Sequence, residues 1–212
     1  MLEIADKLIY VAMGLATVYA LFCAVLLIRK IGQKKFSNSR VADEFLDEIR
    51  DSLTERDFDG AAELCDTPPY WSKAVPQLII VALANRQIGP TKLRQMLAEK
   101  FEREVLSDLQ YRHSWIGTVV KTAPMLGLLG TVIGMILSFA TIASASSQGG
   151  VNPADLADKI GVALYTTAIG LTIAIPLTIL GAWVQVRISK LTDSVQEHLS
   201  EFLADLEAAM QE

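Results

Sequence analysis

Residues 122–154, TAPMLGLLGTVIGMILSFATIASASSQGGVNPA, run for 33 positions without one Asp, Glu, Lys or Arg. A bilayer hydrocarbon core about 30 Å thick needs roughly 20 apolar helical residues to cross it, so this stretch is long enough to span. Two further uncharged runs, 8–28 and 160–186, meet the same condition. Of the 43 charged side chains, 28 fall between Arg29 and Arg112 and 8 between Arg187 and Glu212. An average of 51% hydrophobic and 20% charged residues would suit a soluble domain, but the partition of the charges does not. The sequence predicts an all-α, polytopic membrane protein with transmembrane helices at 8–28, 116–143 and 160–186. A helical region at 29–115 and a C-terminal helix at 187–212 lie on one side, and the segments 1–7 and 144–159 on the other.

Charge placement orients these spans. Arg29, Lys30, Lys34 and Lys35 follow the first run, whereas Glu3, Asp6 and Lys7 precede it. The positive-inside rule therefore puts the short N-terminus outside and the charged region in the cytoplasm. Alternation agrees, because Arg187 and Lys190 follow the third run while the Ser/Gly-rich loop at 144–159 has only Asp155, Asp158 and Lys159. Arg112 and Lys121 mark the inner edge of the second span. With acidic residues before it and no small-residue cleavage site before Arg29, the first run reads as a retained anchor rather than a signal peptide.

The cytoplasmic segment carries the 3.6-residue pattern of packed helices. From Ser39, residues Val41, Phe45, Ile49 and Leu53 recur every four positions with acidic residues elsewhere, and Thr67-Pro68-Pro69 stops the pattern. Leu78 to Ala84 is apolar but too short to cross, so it packs in a helical bundle. Gly89-Pro90 opens a helix with Leu93, Leu97, Phe101 and Val105 on one face, and no Gly or Pro interrupts it before Gly117, which predicts one helix running into the second span. Past Arg187, Ile188, Leu191, Val195, Leu199, Phe202 and Leu206 form a stripe, and Asp193, Glu197, Glu201 and Asp205 a separate acidic row that reads as a solvated face.

Several functions are excluded or left unsupported. Fourteen basic and fourteen acidic residues between 29 and 112 give no net positive surface for nucleic acid. Cys23 and Cys65 lack metal spacing and read as packing residues, so neither a metal nor a cofactor is expected. His113 and His198 read as helix-surface residues. No Ser/His/Asp, Cys/His or phosphate-loop pattern appears, and the chain is not expected to be an enzyme.

Within spans two and three the small and hydroxyl residues are ordered. Ala123, Gly127, Thr131, Gly134 and Ser138 share one helical face, as do Ala163, Thr167, Gly170, Ala174, Thr178 and Gly181 on the other helix. Small residues at this spacing, Gly130-x-x-x-Gly134 included, let membrane helices approach closely. Recurrent threonines fit a helix interface or a wet lumen better than lipid, since each hydroxyl needs a partner. No Asp, Glu, His or Arg lies inside any span, so the protein has no membrane carboxylate of its own to relay protons, and any titrating group must be borrowed.

Two stretches carry a family resemblance: Ala-Pro-Met-Leu-Gly-Leu-Leu-Gly-Thr-Val-Ile-Gly-Met-Ile at 123–136, and Ala-Leu-Tyr-Thr-Thr-Ala-Ile-Gly-Leu at 163–171 with Ala174-Ile175-Pro176 after it. Together with the three-span layout they resemble the MotA/TolQ/ExbB proton-channel family, on its ExbB/TolQ branch. The resemblance implies a homopentamer in the bacterial inner membrane, N-terminus periplasmic and C-terminus cytoplasmic. Spans two and three would surround a lumen holding the single-span helices of an ExbD- or TolR-like partner. An Asp of that partner carries the proton, and Thr131 and Thr167 match the family's pathway threonines. Gly134, Ser138, Gly170, Ala174 and Thr178 are expected along the same pore-lining stripes, with Pro124, Gly127, Gly130 and Pro176 as helix-packing residues. Lys121, three positions before Pro124, departs from the small or apolar residue usual there and alters the inner pore mouth. A non-conducting scaffold for partner helices and a flagellar-type stator subunit are the alternatives, although three spans rather than four make the stator branch less similar.

Overall fold

The computed structural model describes residues 2–36, 38–145 and 153–211, and every regular element among them is helical. The order is α1 (Leu2–Lys34), α2 (Ser39–Thr54), α3 (Phe58–Asp66), α4 (Ala74–Ala84), α5 (Pro90–Phe101), a π-helical turn (Glu102–Leu106), α6 (Ser107–Ala145) and α7 (Pro153–Gln211). Among the described residues three helices, α1, α6 and α7, are long and apolar enough to cross a membrane. Pro124 and Pro176 sit inside α6 and α7, as membrane helices tolerate when neighbouring groups satisfy the freed carbonyls.

Two local features depart from the sequence pattern. The apolar repeat from Ser39 reads through to Thr67, but the helix breaks at 55–57, where Arg56 takes φ 59° and Asp57 accepts a hydrogen bond from the Gly60 N–H at 2.9 Å. That carboxylate is an N-cap, and it fills the space a side chain at position 60 would need. Farther on, Leu93, Leu97, Phe101, Val105 and Leu109 are all buried at a strict four-residue spacing. An α-helix of 3.6 residues per turn rotates such a row away from its partner. The wider π turn at Glu102–Leu106 absorbs the excess and keeps the row facing inward.

The chain divides into two compact units. One comprises Met1–Val25 and Arg112–Trp183. Its α1 packs against α6 and α7 through Ala20, Val119 and Leu177, flanked by Ala16, Val120, Ile173 and Leu180. The Tyr19 and Trp115 rings meet edge to face at 5.5 Å. Cys23 is buried here as a free thiol.

The other unit comprises Leu26–Tyr111 and Val184–Glu212. Its core is built from large side chains, with Phe45, Ile49, Leu53, Ile79, Leu97, Phe202 and Leu203 all nearly inaccessible. The amphipathic α2, the α4 helix, apolar except for the exposed Gln77, and the stripe of α7 supply most of it. Phe36, Phe45 and Tyr70 form an aromatic cluster, with Phe45 and Tyr70 centroids 4.6 Å apart. His198 is buried against its edge, 6.1 Å from the Phe36 centroid, and is not the helix-surface residue that its sequence context suggests. Arg50 on α2 binds Glu201 at 2.7 Å and Asp205 at 2.9 Å, which holds its guanidinium firmly protonated and assigns half of the acidic row to an interhelical clasp. Lys30 pairs with Asp108 at 2.8 Å. Burial, and next the charge of Asp66, pushes the Cys65 thiol up to about 12, so it stays protonated as an inert packing residue.

Candidate functional site

The ordered small residues of α6 and α7 meet in the first unit, and the contact is close. At Gly127 an added Cβ would lie 2.9 Å from the Thr166 carbonyl oxygen and from the Thr167 Cα. At Gly170 it would lie 2.7 Å from the Ala123 carbonyl oxygen, and at Gly130 it would run into the Thr166 side chain. Gly134 faces Ala163 in the same way. These glycines are therefore required by backbone approach rather than by turn geometry, which is how membrane helices associate when lipid removes the hydrophobic drive between them.

Two threonines pin the contact. Thr166 is fully buried, and its single hydroxyl hydrogen lies between the Ala163 carbonyl oxygen at 2.7 Å and the Gly127 carbonyl oxygen at 3.2 Å. Thr167 Oγ1 donates to the same Gly127 carbonyl at 2.9 Å. Beyond the glycines, Lys159 Nζ donates to Thr141 Oγ1 toward one end of the two helices, and His113 Nε2 lies 3.1 Å from the Gly181 carbonyl oxygen toward the other.

The expected residues fall into two groups. Ala123, Gly127, Gly130 and Gly134 of α6 come together with Ala163 and Gly170 of α7, and Ser138 and Ala174 are buried on the same helical faces. Thr131 is only half-buried; its hydroxyl donates to the Leu128 carbonyl of its own helix at 2.7 Å, and its neighbours Leu128 and Val132 are exposed. Thr178 is exposed and donates to the Ala174 carbonyl at 2.7 Å. Pro124 is half-buried, Pro176 exposed and Lys121 exposed. The residue that sequence reasoning passed over is Thr166. The signal was available, because an i, i+3/i+4 walk from Ala163 to Gly170 passes through position 166 as readily as through 167.

Chemically, the seam over 123–138 and 163–174 offers hydroxyls and carbonyls and no side chain that ionises near neutrality. Thr131, Ser138, Thr141, Thr172 and Thr178 each give their hydrogen to a carbonyl of their own helix. The oxygen lone pairs of Thr131, Ser138, Thr172 and Thr178 remain able to accept from a water or an acid. No cluster of three or more potential metal ligands exists among the described residues.

Residues 71–197 match the sequence profile of the MotA/TolQ/ExbB proton channel family. The chain is 45% identical over 73 residues to the biopolymer transport protein exbB1 of Vibrio cholerae, a match covering 32% of this chain and 31% of that protein. It is 41% identical over 102 residues to the biopolymer transport protein ExbB of Aquifex aeolicus, covering 47% and 67%, respectively. Against a putative biopolymer transport protein ExbB homolog of Methanothermobacter thermautotrophicus it is 35% identical over 142 residues, covering 65% and 47%. The chain thus spans between about a third and two thirds of the length of these relatives. The profile covers more than half of the sequence and takes in both the α6 and α7 seams, and the chain belongs to the MotA/TolQ/ExbB proton channel family, on its ExbB branch.

Proposed function

We propose that the chain is the channel subunit of an inner-membrane motor that couples the proton gradient to force transmission across the cell envelope. Its spans are 8–28, 116–143 and 160–186, with 1–7 and 144–159 periplasmic and 29–115 and 187–212 cytoplasmic. Copies of the chain assemble as a homopentamer around an ExbD/TolR-like partner helix, whose Asp carries the proton past Thr131 and Thr167. The carrying observation is the chemistry of the α6–α7 spans, which hold hydroxyls throughout and no carboxylate or imidazole within 122–154 or 160–186. Family membership supports proton conduction, and a path of hydroxyls without an acid needs a titrating group from another chain.

The close α6–α7 contact supports the same arrangement. Thr166 and Ala163 fill the space beside Gly127, Gly130 and Gly134, which leaves no room for water between the two helices of one copy and favours a path where several copies surround a partner. Thr131, whose hydroxyl serves only its own helix, is the cleaner test position, because Thr167 also joins the two helices.

Proton uptake into vesicles holding the chain and its single-span partner, driven by an imposed gradient, tests the reading. Thr131→Val should lower partner-dependent flux by about tenfold, the rate equivalent of one lost hydrogen bond worth about 1.4 kcal/mol. Undiminished flux in both Thr131→Val and Thr167→Val would remove these residues from the path. A complete complex that takes up no protons would favour the non-conducting scaffold instead.

A further inference from the structure

The loop between α3 and α4, Thr-Pro-Pro-Tyr-Trp-Ser-Lys at 67–73, is fastened to the end of α1. Lys73 Nζ donates to the Lys35 carbonyl oxygen at 2.8 Å, and Lys34 Nζ donates to Gln77 Oε1 at 2.7 Å. Gln77 Nε2 in turn donates to the Trp71 carbonyl oxygen at 2.9 Å. This bracing holds the backbone of the loop, yet Trp71 is 62% exposed and Pro68 and Pro69 beside it are exposed as well. Nothing in the unit's own core covers the indole.

The depth of the loop is set by α1, which lies beside it in the same unit from Leu26 onward. The uncharged run of α1 ends at Ile28. Lys34 and Lys35 follow six and seven residues later, about 10 Å along a helix rising 1.5 Å per residue. The headgroup layer on each face of a bilayer is about 5–8 Å deep, and lysine and tryptophan side chains extend several ångströms farther. That is the level at which tryptophan is enriched in membrane proteins, with its ring toward the acyl boundary and its N–H toward the headgroups.

Charge favours an anionic surface there. Arg29 and Lys35 are exposed and Lys34 and Lys73 half-buried around this end of α1, while Lys30 is already occupied by Asp108. The carboxylates acting on the same surroundings are Glu104, near Lys34, and Glu44 and Glu48, near Tyr70. Among the described residues, none of these three forms an ion pair with Arg29, Lys35 or Lys73.

We propose that the Trp71 loop and the basic end of α1 form one surface that docks on anionic phospholipid headgroups of the leaflet in which α1 ends. The docking requires that α1 spans the bilayer and is independent of whether the chain conducts protons. It ties the second unit to the membrane through an indole anchor and a set of cations rather than through the spanning helices alone. Each cation near the surface strengthens the preference for anionic lipid about fivefold.

The chain has three tryptophans, so Trp115→Phe with Trp183→Phe leaves Trp71 as the sole indole reporter in the full-length protein. Vesicles of phosphatidylcholine with or without phosphatidylglycerol, either lipid carrying bromine on the acyl carbons nearest the headgroup, supply the quencher. The expected result is strong quenching of Trp71, greater for brominated phosphatidylglycerol than for brominated phosphatidylcholine at equal mole fraction. Arg29→Gln and Lys35→Gln should each reduce that preference about fivefold. Three outcomes overturn the proposal: no bromine quenching with free access of acrylamide, which puts the loop in water; no bromine quenching with protection from acrylamide, which puts it under a second copy of the chain; or equal quenching by the two lipids that the Gln variants leave unchanged, which removes charge from the contact.

Discussion

The two units solve helix packing with opposite materials. In the first, α6 and α7 approach until Gly127, Gly130 and Gly170 have no room for a methyl group. In the second, Phe45, Phe202, Ile49 and Leu97 fill the space between helices. The solvent accounts for the difference. Water rewards removal of large apolar side chains at about 25 cal/mol per Å², whereas lipid tails are as apolar as leucine and leave only contact and hydrogen bonding to hold helices together. One chain therefore spends its bulky residues where water is the competitor, and its small ones where lipid is.

That contrast makes graded expectations. The largest effect belongs to Phe45→Ala, which empties the centre of the aromatic cluster with Phe36 and Tyr70 and should cost about 3–5 kcal/mol, read by chemical denaturation of the full chain in detergent. A smaller loss than that of Gly170→Ala would break the comparison. Gly170→Ala adds one methyl against the Ala123 carbonyl and should cost about 1–3 kcal/mol by forcing the helices apart. Gly161→Ala serves as its control: with nothing within 4 Å of the added Cβ, it should be neutral or gain up to about 1 kcal/mol from helix propensity. A loss at Gly161 equal to that at Gly170 would show that backbone approach is not the cause. The smallest expected loss is that of Arg50→Ala. The Arg50 side chain is 41% exposed in its clasp on Glu201 and Asp205, so the loss should be about 0.5–1 kcal/mol and should shrink as salt is raised.

Much of this was legible in the sequence, for reasons the residues make plain. Charge-free runs of spanning length seldom occur outside a bilayer, and the four-residue rows of α2 and α5 correspond to buried faces. What escaped was local or pairwise. The break at Arg56 depends on a left-handed residue that is not glycine and on the Asp57 cap, neither of which disturbs the apolar period. The π turn is invisible to a periodicity of 3.6 until the row it realigns is seen to be buried throughout. Thr166 and Thr167 are adjacent, and only the partner helix decides that 166 is wholly enclosed while 167 is half-buried. His198 belongs to an aromatic cluster assembled from α2, the segment following α1 and the loop before α4, which no local window contains.

The seam through Thr166 has a mechanical consequence. A screw motion of α6 by one residue, about 1.5 Å of rise with about 100° of rotation, would bring Leu129 or Thr131 to the place that Gly130 occupies, into the Thr166 side chain, and it is opposed by the Gly127 carbonyl that both threonines hold. Packed elements of this kind are bistable or fixed, not continuously deformable. The two helices then behave as one strut, and in the proposed motor a working stroke would take place at surfaces where that strut meets other chains.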